Sequence, residues 1–123
     1  IHPKSPFLKP KTIEECINNV LLLKSDSAFT ASSIRSHLWF KDAPLNFSVT
    51  NKNPSFSKID TILVSPSSVY VFTKDLFIAS RSMVGEKPFI KEIGHFESFE
   101  IEREDDFAMA ELIINAGLDI ERI

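Results

Sequence analysis

The sequence predicts an α+β domain with two N-terminal helices, an antiparallel sheet of about five strands and one buried C-terminal helix. Three observations lead there. Apolar residues recur at helical spacing between Thr12 and Leu23, and from residue 45 the pattern changes to short β-type runs. A nearly all-apolar segment with helix signals at both ends then closes the chain. Helices segregated from a run of strands mark α+β rather than α/β organisation. At 123 residues, 43% of them apolar, the chain is long enough for one hydrophobic core without disulfide or metal support.

Residues 1–11 hold Pro3, Pro6 and Pro10 with Lys4, Lys9 and Lys11 among them. Proline fixes φ and removes a backbone donor, so this segment reads as an extended arm or linker before a single domain over 12–123. The start, IHPKSPFLKPK, suggests a domain cut from a larger protein, whose neighbouring domains would then be partners. Thr12-Ile13-Glu14-Glu15 matches a capping box. Ile13, Cys16, Ile17, Val20 and Leu21 share one face of the helix it would open, over about 12–23. Cys16 lies on that apolar stripe as a small core residue. It is the one cysteine, which excludes an intramolecular disulfide and a thiolate-rich metal site and fits a reducing, cytoplasmic compartment.

Thr30 is placed to cap a second helix over about 31–40, with Ala31, Ile34 and Leu38 inward and Trp39 off that stripe. Two helices in tandem suggest a helix-turn-helix, but this one offers only Arg35 and His37 as nucleic-acid contacts. LNFSVT (45–50) and SFSKIDTILVS (55–65) then flank the turn sequence NKNP as two strands. VYVFT (69–73) and LFIAS (76–80) follow as two more, joined through Lys74-Asp75. The run FIKEIGHFESFEIER (89–103) supplies the last strand. Phe99 and Ile101 alternate there with Glu100 and Glu102, and Gly94 is a candidate bulge. The final helix, DDFAMAELIINA (105–116), opens on two aspartates and ends before Gly117. A helix apolar nearly all round is expected in a core or interface.

Composition and motif content narrow the function. The net charge of −3 argues against a general nucleic-acid binder. Charge is uneven, however: Lys4, Lys9 and Lys11 stand at one end, and six acids between Glu97 and Asp106 face only Arg103. No run reaches the length of a membrane span, and no hydrophobic signal segment opens the chain. His2, His37 and His95 lack metal-ligand spacing, and there is no P-loop, GxGxxG or GxSxG. The expectation is therefore a domain that is not itself an enzyme and needs no cofactor.

The surplus in the sequence is aromatic. Strand alternation in VYVFTK places Val69 and Val71 on one face and Tyr70, Phe72 and Lys74 on the other. If the valines face the helices, two rings and a cation face outward. Trp39-Phe40 adds a second pair. Such rings either stack on a ligand or pack under loops and against a neighbouring domain.

Three resemblances bear on the choice. KIDTILVSPSSVYVFTK (58–74) resembles the metal-dependent PD-(D/E)xK nucleases, with Asp60 at the first carboxylate and Lys74 at the lysine. Phe72 stands where the second acid belongs, which implies a degenerate relative. VYVFTKDLFIASR (69–81) looks like the central hairpin of pleckstrin-homology domains. That likeness implies a lipid- or protein-binding module using Lys74, Arg81, Lys87 and Lys91. In size, element content and excised appearance, the whole chain resembles the cap-binding-like domains of segmented negative-strand RNA virus polymerases, the arenavirus and bunyavirus L proteins. No motif transfers a residue from them by position. The resemblance implies a module binding capped RNA or a nucleotide within an RNA-directed RNA polymerase that carries out cap-snatching transcription. Stacking would then fall to Trp39, Phe40, Tyr70 and Phe72, and polar recognition to Lys74, Glu92 and Glu97. The nuclease-like, lipid-binding and purely structural readings remain as alternatives.

Overall fold

The computed structural model describes residues 1–49 and 59–118. In chain order the elements are α1 (Pro10–Leu21), β1 (Ser27–Ile34), β2 (Trp39–Phe40), β3 (Ala43–Pro44) and β4 (Ile62–Val64). They continue with β5 (Tyr70–Phe72), α2 (Lys74–Ser80), β6 (Pro88–Glu92) and α3 (Glu104–Asn115). No described helix is long and apolar enough to cross a membrane, and with one cysteine the chain forms no internal disulfide.

Helices and strands are both present, but their arrangement corrects the expected one. Among the described residues there are three helices spread along the chain, and two separate sheets of four and two strands. β1 is the hub of the larger sheet. It pairs antiparallel with β4 and β5 and parallel with β6, from Ser27↔Pro88 to Ala31↔Glu92. The larger sheet is therefore mixed rather than an antiparallel meander.

The expected second helix over 31–40 does not form: its first half belongs to β1 and its end to β2. Ser27, Ala28 and Thr30 through Ser32 are all buried, so both faces of β1 are covered and its small side chains carry no polar–apolar alternation. Two-sided burial of that kind is typical of a strand paired on both edges. LFIAS is likewise helical, not a strand. Thr73 caps α2 by accepting from the Leu76 N–H at 3.1 Å, and Asp75 sits in the first turn. The long run 89–103 forms a strand only over β6. The NKNP turn lies outside the described residues.

α1 starts earlier than the capping box implies, with Pro10 at a position that needs no donor and Lys9 as N-cap. Thr12, Cys16 and Val20, spaced at i, i+4 and i+8, are its buried residues. Cys16 and Val20 meet Ala28 and Val69 in the core, with Leu8, Ile13, Val71 and Phe89 packed around them. Burial pushes the Cys16 thiol above its ordinary pKa. The segment before α1 also contributes. Phe7, 2% exposed, packs on Phe96 and Phe99 at centroid distances of 4.6 and 5.8 Å. Burying a ring of this size contributes about 1.5–3 kcal/mol.

The C-terminal helix forms where expected, and Gly117 beyond it takes φ +64°. It is not the buried helix that its apolar content implied. Only Ala110 is buried, while Phe107, Met109, Leu112 and Ile114 are exposed.

Candidate functional site

β5 lines an open concavity. Its valines face α1 through the core, so the period of two turns Tyr70 and Phe72 to the opposite face. The Tyr70 ring lies 6.0 Å from Phe29 at a shallow interplanar angle of 27°, and Phe72 meets Phe77 of α2 at 5.6 Å. Tyr70, Phe72, Ser67, Met83, Ile1 and His2 line an open cleft of about 440 Å³.

One wall of this cleft comes from the proline-rich N-terminal segment. The His2 N–H donates to the Ser68 carbonyl at 3.0 Å, and the Ser5 hydroxyl donates to that of Ser68 at 3.0 Å. Further along, the Lys4 carbonyl accepts from the Ile101 N–H at 2.8 Å, and the Lys4 ammonium pairs with Glu102 at 3.0 Å. Carboxylates raise the Lys4 pKa, the Glu102 hydrogen bond being the main cause. With Phe7 buried behind it, the segment lies against the body of the domain.

Trp39 and Phe40 sit elsewhere, on the two-stranded ribbon. Lys41 and Asp42 connect β2 to β3 with φ of 49° and 63°, the positive values a two-residue type I′ turn requires. Trp39 is 59% and Phe40 60% exposed. Trp39 packs edge-on against Phe47 at 5.2 Å, and the Lys41 ammonium lies 5.2 Å from the Phe40 centroid. Buried Asn46 holds the base of the ribbon. Its amide donates to the Ser36 and Asp60 carbonyls, both at 2.8 Å, and accepts from the Leu38 N–H at 2.9 Å. Among the described residues no ring contact joins this aromatic pair to Tyr70 and Phe72, so the four rings form two surfaces.

The polar candidates separate in the same way. Lys74 is the exposed first residue of α2, and Glu92 is exposed at the end of β6. Glu97 is buried, and its Oε1 accepts from the Lys9 N–H at 3.1 Å and from the Thr12 hydroxyl at 2.5 Å. That carboxylate serves the N-terminus of α1, where unpaired N–H groups and the helix dipole favour negative charge. Asp60 stands just before β4 and Lys74 just after β5, with Phe72 in the cleft between them in sequence. Among the described residues no group of three or more His, Cys, Asp or Glu side chains is placed to hold a metal ion.

Alternation alone locates Tyr70 and Phe72. His2, Ser67 and Met83 carry no such signal, because tertiary structure brings them together from three separate segments. No protein-family model matches this chain, and no curated protein shows significant similarity to it.

Proposed function

We propose that this chain is a non-catalytic binding module that holds a planar ring, a nucleobase, in the cleft over Tyr70 and Phe72. The single observation that carries the reading is the pair of outward-facing rings lining one open cleft of about 440 Å³. Base–aromatic stacking contributes about 1–3 kcal/mol per base, and Met83 adds a polarisable wall. Side by side on one strand, the rings form a platform rather than a sandwich.

The specific candidate is the 7-methylguanosine of a capped RNA, because a positively charged base gains from aromatic faces. With Glu97 engaged at α1, edge recognition falls to the Ser67 hydroxyl and the His2 imidazole in the cleft lining. Thermal unfolding in millimolar 7-methyl-GTP, GTP or inositol hexakisphosphate tests the reading. A ligand at one hundred times its Kd that binds only the native state adds about 2.7 kcal/mol. The expected order is 7-methyl-GTP above GTP, with both shifts lost in Tyr70→Ala and Phe72→Ala. A shift with the inositol phosphate alone, or nucleotide shifts that survive both substitutions, would overturn it.

A further inference from the structure

α3 carries an exposed apolar surface, none of whose residues lines the cleft. Phe107, Met109, Leu112 and Ile114 are 54, 52, 71 and 55% exposed, and Leu118 just beyond is 49% exposed. Among the described residues, none of the closely packed element pairs includes α3. Asp106, Ala110 and Ile113, spaced at i, i+4 and i+7, are its three least exposed positions and form the face toward the body. Glu104, Ala108, Glu111 and Asn115 run along the opposite crest, so the helix carries an acidic ridge. Between ridge and body lie two flanks: Phe107 with Ile114, and Met109 with Leu112 and Ala116, the second opening on the exposed Asp105 one turn before Met109. Exposed apolar surface bordered by charge is the pattern of a protein-interaction site.

The charges select the occupant. Lys4 pairs with Glu100 and Glu102, and the Asp106 carboxylate accepts from the N–H groups of Glu102 and Arg103, both at 3.0 Å. Glu104, Asp105 and Glu111 form no ion pair among the described residues. A second copy laid along α3 would set one acidic ridge against another, and like charges at close range oppose that pairing. A segment with an apolar face and flanking Lys or Arg meets both features. We infer that α3 is the docking site for a basic amphipathic helix of a partner protein, its apolar face on the Met109–Leu112 flank and its cations against Glu104 and Glu111.

The test uses a fluorescein-labelled peptide of leucine and lysine at helical spacing, and a counterpart with glutamate replacing lysine. Fluorescence anisotropy reads binding to the chain, and circular dichroism confirms that each variant is folded. The lysine peptide is expected to bind and the glutamate peptide not to, with affinity falling as salt rises. Leu112→Gln removes an apolar anchor and is expected to weaken binding roughly tenfold or more. Glu111→Lys is expected to shift preference toward the glutamate peptide, and Trp39→Ala to leave affinity unchanged. Lysine-peptide binding that survives Leu112→Gln, or that is lost in Trp39→Ala instead, would overturn the inference. So would sedimentation showing a dimer of this chain that Leu112→Gln dissolves. Nucleotide binding at the cleft is read separately, so either proposal can fail alone.

Discussion

α1 and α3 are both twelve-residue helices, and the less apolar of the two is the one that builds the core. α1 puts Thr12, Cys16 and Val20 on one buried stripe with Ile13 packed beside it, so a single orientation sets Cys16 and Val20 against Ala28 of β1 and Val69. α3 is apolar on several sides at once, and one contact face cannot cover them all. Its narrow inward face holds Ala110, and the larger side chains flank it in solvent. The direction of apolarity, rather than its amount, decides which helix this fold buries.

The helix starts differ in the same sense. α1 is closed by a carboxylate 88 residues beyond its N-cap in sequence, Glu97 bonding Lys9 and Thr12. α3 is closed from within, Asp106 reaching back to the N–H groups of Glu102 and Arg103. α1 is tied into the tertiary structure from its first turn, whereas the cap of α3 is local.

Two phenylalanines give the sharpest way to break this comparison. Phe7, beside the start of α1, is 2% exposed, and Phe107 of α3 is 54% exposed. Phe7→Ala is expected to cost about 3–5 kcal/mol in urea unfolding. Phe107→Ala should change stability by no more than about 0.5 kcal/mol. Similar losses at both positions would mean that α3 is packed after all. The next effect is at the caps. Glu97→Ala leaves the buried Thr12 hydroxyl and the Lys9 N–H without their acceptor, and about 1–3 kcal/mol of stability should disappear. Asp106→Ala should fray the start of α3, seen as faster amide exchange at Glu102 and Arg103, with a smaller change in the unfolding midpoint. A larger global loss from Asp106→Ala would reverse the contrast.

The parts of the fold legible in the sequence are those where one face is wet. α1 shows a stripe of period 3.6, and the alternation in VYVFT turns the rings out and the valines in, where Val69 and Val71 join the core. β1 is not legible, because strands on both edges and cover on both faces remove the alternation from SAFTASSI. α2 reads as a strand because LFIAS is apolar and short, and the deciding signal is the polar Thr73 cap rather than periodicity. The ribbon is hidden because Lys41-Asp42 adopts a turn more often written with Asn or Gly. In the cleft, the two residues on one strand can be paired from sequence. His2, Ser67 and Met83 cannot, since the folded chain alone brings them together.

The smallest expected effect is acid sensitivity, and it too divides between the helices. Glu15 of α1 has its pKa lowered chiefly by its hydrogen bond to Lys91 of β6, and Asp106 of α3 by the N–H groups of Glu102 and then Arg103. A carboxylate whose folded pKa is depressed contributes stability above its unfolded pKa, about 3.9–4.3 for Asp and Glu. That contribution fades as pH falls through the lower folded value. Both helices should therefore lose support only below about pH 4, and modestly, because both groups are solvent-screened. Glu15→Gln should flatten the acid limb of global stability, since the Glu15–Lys91 pair ties α1 to the sheet. Asp106→Asn should flatten only the local exchange profile at the start of α3. An equal effect of the two substitutions on global unfolding in acid would show that α3 is coupled to the core as tightly as α1.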